Sequence, residues 1–425
     1  MGCVNSRGKK EAVLSGKLSL SPENREYPRQ AHISIRHLDE SMRVRMEPLS
    51  FSLTDPMVSN SKKLVKDREY WASACVLPGM DPRSEIDKKC QDYCLFSTDE
   101  DSILIVLFDG HGAEGEKVVE FCSKVAEDFY RSSKSSDPTQ FLVDLTERCH
   151  SALQKESSID VTSSGCTAVL VYFYNGYLYC ASVGDSRAIL GTLEPPKHSP
   201  APEAQMGEER KMLEVVKERR KSFLTTQIFP VQLTRDQKPE DPDELARIVK
   251  AGGRVQKITD KKGNKVGPYR VWELNANTPG LAMSRSIGDT TGHKLGVIST
   301  PVTTKHQVND TGDLFIVAAS DGIWDVMENE DVVTFVECYR EKCLRDLESP
   351  TRSEIVSCKN STIAQLLCEE ARVRWYTIVE NEDVMIDDIS CVVLELQGAV
   401  EGVAHVAKPL PDRENKELPA KNGKS

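Results

Sequence analysis

Four aspartates and a histidine stand where strands should end. Ile103-Leu104-Ile105-Val106-Leu107-Phe108 is an unbroken run of six apolar residues that passes directly into Asp109-Gly110-His111-Gly112. A short apolar run bounded by polar residues and glycine predicts a buried strand. Its ending delivers a carboxylate and an imidazole to the rim of a sheet, and the flanking glycines let backbone or ligand come close. Upstream, Cys90 to Phe96 reads as a second strand, and Asp99-Glu100-Asp101 as a polar turn. A hairpin folded about residues 100 and 101 sets Asp92 opposite Asp109. Like charges facing each other across a strand pair are destabilising unless a cation lies between them; the alternative is a solvated acidic rim.

The same design recurs twice. Leu314 to Ala319 is apolar and ends in Ser320-Asp321-Gly322, while Asp387-Asp388 immediately precedes the strand-like Ile389 to Leu394. An acid after one strand and an acid before its antiparallel neighbour lie on the same edge of a sheet. Asp92, Asp109, Asp321 and Asp387 can therefore meet at one rim. An all-oxygen ligand set suits hard cations, Mg²⁺ or Mn²⁺, rather than zinc. A further strand-end acid, Asp185, follows the run Tyr177 to Val183.

The elements that must position these residues are hairpins interleaved with helices. Asn175-Gly176 separates two apolar runs, Cys166 to Tyr174 and Tyr177 to Val183, and that dipeptide is a strong hairpin signal. Arg254 to Leu274 reads as another hairpin around Lys261 to Asn264. Apolar residues recur at helical spacing over Glu114 to Ser132 and Phe141 to Leu153, which predicts helices lying on a sheet. Further helices are expected at Asp331 to Leu347 and Thr362 to Tyr376. This order predicts an α+β layered sandwich. A dinucleotide-binding fold is excluded, because no strand leads into a G-x-G-x-x-G helix start.

Composition narrows the class. The chain has 425 residues, 39% hydrophobic and 28% charged, with a formal net charge of −11. That balance and the lack of a basic stripe argue against nucleic acid as a partner. The 13 cysteines are scattered, without a Cys-x-x-Cys pair, as suits reduced thiols better than a disulfide frame or a zinc site. No run reaches the ~20 apolar residues that span a bilayer, and a monomer is expected.

The ends differ from the middle. Met1-Gly2-Cys3-Val4-Asn5-Ser6 fits the N-myristoylation pattern with Gly2 as acceptor. Cys3 is placed for palmitoylation, and Arg7, Lys9 and Lys10 add a small basic patch. One acyl chain binds a membrane only marginally, so a second signal is needed. These features predict residence on the cytoplasmic face of a membrane, the plasma membrane above all, with a cytosolic pool. Residues 1–64 read as an extension, 65–397 as one domain with a surface insertion at about 193–230, and 398–425 as a disordered Lys/Glu/Pro-rich tail.

The assembled stretches resemble the metal-dependent serine/threonine protein phosphatases of type 2C. They are Phe108 to Gly112, Ser164 to Ala168, Gly184 to Arg187, Leu233 to Pro239, Ala251 to Val255, Gly280 to Asp289, Ser320 to Asp325 and Asp387 to Ser390. They follow the family's order across roughly residues 65 to 397 of the sequence. The resemblance implies a four-layer αββα sandwich, two antiparallel sheets flanked by helix pairs, with two divalent cations at one edge. It assigns Asp109 as the bridge between them and the Gly110 carbonyl to one ion. Asp321 and Asp387 would hold the other, Asp92 would act on the second ion directly or through water, and Asp185 would mark a third, weaker site. His111 would be the general acid. Gln91, Gln237 and Asp388 depart from usual family residues, and Asp388 leaves open which of the two adjacent acids is the ligand. The phosphate-holding arginine has no clear counterpart; Arg83, Lys88 and Lys89 are candidates.

Two other readings compete with an active phosphoprotein phosphatase. One is a catalytically impaired, membrane-tethered relative that binds phosphoproteins, which the presence of every acid and of His111 disfavours. The other is a metal-dependent phosphodiesterase or nucleotidase, which the carboxylates alone do not exclude.

Overall fold

Strands that are apolar at every position must bury both faces, and alternation along β4 shows how this is done. The computed structural model describes residues 57–65, 68–80, 89–133, 137–195, 227–348, 362–379 and 386–396. In chain order the elements are β1 (Met57–Val65), β2 (Arg68–Leu77), β3 (Asp92–Thr98), β4 (Ser102–His111), α1 (Gly115–Ser132) and α2 (Pro138–Leu153). Next come β5 (Gly165–Cys166), β6 (Ala168–Tyr174), β7 (Tyr177–Val183), β8 (Arg187–Thr192), β9 (Phe229–Gln232) and α3 (Pro242–Lys250). There follow β10 (Gly253–Thr259), β11 (Lys265–Glu273), β12 (Pro279–Leu281), β13 (Ile287–Gly288), α4 (Thr290–Lys294) and β14 (Val302–Gln307). The last are β15 (Asp313–Ala319), α5 (Asp321–Trp324), α6 (Asn329–Glu348), α7 (Ile363–Val379) and β16 (Ile389–Glu395).

Two large sheets form, ordered β1-β2-β16-β15-β8-β9 and β13-β5-β4-β6-β7-β14, with β3 on the other side of β4. Ile103, Ile105 and Leu107 of β4 face the first sheet, where they meet Ile316 and Ala318 of β15 and Val392 and Leu394 of β16. Leu104, Val106 and Phe108 point the opposite way, onto Val118, Cys122 and Ala126 of α1 and Leu142 and Leu145 of α2. The first sheet is covered in the same manner: Phe315, Val317, Cys391 and Val393 pack on Val332 and Val336 of α6 and Leu367 and Ala371 of α7. The result is the αββα sandwich expected from the resemblance. Each layer depends on the two-residue period of the strands, so a one-residue slip would carry a whole face into the wrong layer.

Turn chemistry sets the registers. Asn175 and Gly176 both have positive φ, 51° and 76°, so the hairpin closes Tyr174 against Tyr177, as the dipeptide predicts. The Arg254–Leu274 hairpin forms as β10 and β11, which with β12 make a separate three-stranded sheet. It rests on a small core of Ile248, Val271, Leu281, Met283 and Val297. Paired structure begins at Met57, inside the segment read as extension, because β1 pairs with β2 from Met57 to Val65. Its sequence, MVSNSKKLV, carries no apolar run, as befits a lysine-bearing edge strand. Phe229 and Pro230, read as the end of the insertion, already belong to β9. Residues 196–226 of that insertion, Gly2, Cys3 and the 398–425 tail lie outside the described residues.

Candidate active site

The strand ends bring the acids together. β3 and β4 pair antiparallel with Asp92 directly opposite Asp109. β15 and β16 pair so that Ala319 meets Cys391, which sets Asp321, just past β15, at the same edge as Asp387, just before β16. Asp388 turns away from this edge: it is buried, and its carboxylate accepts from the backbone N–H of Gly79 and, at 2.8 Å, of Gln91. Asp387 is exposed. The two adjacent acids thus have different work, one tying backbone segments together and one facing the rim.

The electrostatics of the rim are those of unneutralised like charges. Burial holds the Asp109 carboxyl well above its usual range, and Asp92, Asp321, Asp387 and Asp185 each push it further. Asp321 is raised by burial, then by Asp387, Asp185 and Asp325, with Lys238 opposing. Asp92 rises to about 7 through burial and the charge of Asp388, against a hydrogen bond from Ser390. Asp92 Oδ2 and Asp185 Oδ1 are buried without hydrogen-bond partners. Buried acceptors left unsatisfied are costly, so these oxygens are suited to bind a cation. Among the described residues, no three Asp, Glu, His or Cys side chains gather tightly enough to hold an ion by themselves. The acids offer oxygen donors alone, which suits Mg²⁺ or Mn²⁺, ions that accept oxygen ligands and, in the case of Mg²⁺, retain several waters.

His111, at the end of β4, is paired differently. Its Nε2 lies 2.7 Å from Asp289 Oδ2. Burial alone would lower its pKa, but the Asp289 charge and hydrogen bond outweigh this and raise it. A rim of converging carboxylates beside a histidine biased toward its protonated form is the equipment of metal-assisted phosphoryl transfer to water.

Comparison with known proteins agrees. Residues 83–374 match the family model "Protein phosphatase 2C". The chain belongs to the protein phosphatase 2C family. Its relatives include "Probable protein phosphatase 2C 48" of Oryza sativa subsp. japonica, 31% identical over 64% of this chain and 74% of that protein. "Probable protein phosphatase 2C 64" of the same organism is 31% identical over 72% of this chain and 61% of that one. The fold is similar to that of a serine-threonine phosphatase 2C from Toxoplasma gondii, with a TM-score of 0.51 at 16% identity, covering 80% of this chain and 99% of the other. As a member of the family, the chain is a protein serine/threonine phosphatase, and metal dependence is general to that family.

Several residues of this phosphatase to which the sequence assigns no role also border the rim. Lys238 bonds Asp185 Oδ2 at 2.5 Å; Asp289 holds His111. Asp325 adds its charge to Asp321. Arg270, on the exposed β10–β11 hairpin, donates to the Gly280 carbonyl at 2.7 Å and keeps a buried, unpartnered Nε. Burial lowers its pKa while the charges of Asp185 and Asp321 counter this. Strand periodicity could flag none of them, although Gly288-Asp289 does repeat the glycine-acid ending of Gly184-Asp185.

The departures from family pattern also have physical accounts. Gln91 donates from Nε2 to the Gly112 carbonyl at 2.8 Å, a bond a glutamate could not make. Gln237, fully buried, accepts from Gly184 N–H at 2.6 Å and donates to Ser182 Oγ at 2.9 Å, fixing the turn that carries Asp185. A Cβ on Gly110 would stand 2.6 Å from the Gln91 carbonyl oxygen, so only glycine lets β3 and β4 close at the rim. Of the three candidate phosphate-binding cations, Lys89 is ion-paired with Glu116 at 3.3 Å. Arg83 and Lys88 lie outside the described residues.

Proposed function

We propose that this phosphatase hydrolyses phosphoserine and phosphothreonine in proteins with two divalent cations, Mg²⁺ or Mn²⁺, held at the acid rim, and that N-terminal acylation tethers it to the cytoplasmic face of a membrane. The observation that carries the catalytic reading is the convergence of Asp92, Asp109, Asp321 and Asp387, each raising another's pKa or held up by it. Asp109 and the Gly110 carbonyl would hold one ion and Asp321 and Asp387 the other, with Asp92 acting on the second directly or through water. Asp185, with one oxygen on Lys238 and one unpartnered, would mark a weaker third site. When bound, such ions make water a nucleophile at neutral pH and neutralise phosphoryl oxygens.

The chain's own residues supply the rest. Asp92, Asp109 and Asp321, desolvated at the sheet edges, fix their oxygens without reorganisation during reaction. His111, biased toward its protonated form by Asp289, delivers a proton to the departing seryl or threonyl oxygen. In metal-stripped protein under excess chelator, hydrolysis of a phosphoserine peptide is expected to vanish and to return with Mn²⁺. Full activity under chelator, or preference for a cyclic nucleotide over the peptide, would overturn this reading.

The tether rests on sequence. Gly2 and Ser6 fit the acyltransferase pattern, and a myristoyl chain alone binds with an association constant of only about 10⁴ M⁻¹. Cys3 acylation or the Arg7/Lys9/Lys10 patch would supply the remainder, each basic residue adding about 1 kcal/mol near an anionic surface. Gly2→Ala is expected to move the protein into the soluble fraction of cells without changing its peptide hydrolysis. Unchanged membrane association of that variant would exclude the lipid anchor.

A further inference from the structure

We propose that Asp289 is the positioning residue of His111, fixing the ring so that Nδ1 is the nitrogen that meets the leaving group. The inference rests on the reading of His111 as the proton donor and adds the atom and the device that orients it.

The backbone is arranged around this one contact. His111 ends β4, and Asp289 follows β13; between them runs β5, where Gly165 pairs with His111 on one side and with Gly288 on the other. Strands separated by a third stand about 10 Å apart, so the two side chains must meet across the middle strand. Residue 165 makes this possible by having no side chain: a Cβ there would fall 2.2 Å from Asp289 Oδ2. Asp289 itself sits in the left-handed region, φ 46° and ψ 54°, a conformation that costs a non-glycine residue roughly 1–2 kcal/mol and that aspartate and asparagine tolerate best. It is pinned there by Asp289 N–H to the Ser164 carbonyl at 3.0 Å and Thr290 N–H to the Val161 carbonyl at 2.9 Å. The carboxylate is fully buried, and its Oδ1 has no hydrogen-bond partner. A strained, buried and half-satisfied acid is an expensive way to make a merely structural contact, and such features cluster at functional sites.

The surroundings leave His111 as the cation Asp289 serves. The imidazoles stacked near it, His150 and His293, lie 4.5 Å apart. Burial drives both pKa values down, that of His150 to about 4, so both are neutral at working pH. Oδ2 accepts from Nε2–H of His111, and His111 Nδ1 is buried without a partner. The proton balance follows. As the P–O bond breaks, its electron pair goes to the seryl oxygen. That oxygen takes the proton from Nδ1, the N–H pair remains on Nδ1, and the ring is left as the Nε2–H tautomer that Asp289 prefers. Water then restores the proton.

The test uses the full-length protein with Mn²⁺ and compares a phosphoserine peptide with an aryl phosphate, whose good leaving group needs little protonation. Asn tolerates the left-handed backbone, so Asp289→Asn keeps the shape and removes the charge. It is expected to lower kcat on the peptide about 10–100-fold, up to the lower end of the 10²–10⁴-fold that general acid catalysis typically contributes, because the imidazole itself remains. The loss on the aryl phosphate should be several-fold smaller. Asp289→Ala added to His111→Ala should cost nothing further, the non-additivity expected of residues acting as a unit. Nitrogen-15 NMR of the metal-free protein should show the His111 Nε2 as the hydrogen-bonded N–H and lose that signature in Asp289→Asn. Equal losses on both substrates by Asp289→Asn, additivity with His111→Ala, or an Nδ1–H tautomer in the wild type would each overturn the proposal. If His111→Ala itself lost both activities equally, the proton-donor reading would fall first, and the two failures are thereby distinguished.

Discussion

The acid rim and the His111–Asp289 pair lie at the two ends of the same few residues, yet they are built on opposite principles. In the rim, Asp92 and Asp321 raise the pKa of Asp109, and Asp387 raises that of all three, with Lys238 opposing at Asp321. At His111 an imidazole meets its own buried carboxylate at 2.7 Å, and charge is balanced within the chain. One site depends on an external cation; in the other the ion pair forms before any ligand arrives. Loss of metal should therefore disturb the first and leave the second standing.

The largest break in this contrast comes from removing a rim charge. Asp321→Asn should lower peptide hydrolysis by about 10³-fold or more, since several kcal/mol of charge stabilisation at a tenfold per 1.36 kcal/mol is lost. Steady-state assay at saturating Mn²⁺ checks it, and a loss under tenfold would remove Asp321 from the catalytic set. A smaller effect concerns stability. Folded Asp92 titrates near 7, above its ordinary value of 3.8, so in the metal-free protein the folded state binds a proton that the unfolded state has released. Stability is then fully present below about pH 4 for this group and is lost as pH rises toward 7, on the order of several kcal/mol. Calorimetry under chelator should show wild type losing stability across that window relative to Asp92→Asn. A parallel course for the two proteins would mean that the rim is already neutralised.

Much of the rim was legible because strands advertise themselves. Ile103 to Phe108 and Leu314 to Ala319 are apolar at every position, since both faces are covered, and an acid placed at the end of such a run can only stand at a sheet edge. The Asp92–Asp109 pairing followed from the turn at residues 99 to 101. What stayed hidden was held by elements too short or too polar to show a period. β13 has two residues, so Asp289 carries no pattern, and its meeting with His111 depends on a glycine in a third strand. Lys238 and Arg270 come from a loop and an exposed hairpin. The choice between Asp387 and Asp388 turned on two backbone N–H groups, at Gly79 and Gln91, hundreds of residues away in sequence, which no local reading can supply.

The central claim is that the rim is held in mutual repulsion until a divalent cation binds. The most direct measurement is the thermal unfolding midpoint of metal-stripped protein as Mn²⁺ is added, for wild type and Asp109→Asn together. At a hundredfold excess over its dissociation constant, a cation that binds the folded state alone stabilises it by about 2.7 kcal/mol. Wild type should therefore rise by several degrees. Asp109→Asn should start higher under chelator, because one repelling charge is gone, and respond weakly to the metal. A wild-type midpoint indifferent to Mn²⁺, or a variant that starts lower and gains as much as the wild type, would contradict the account.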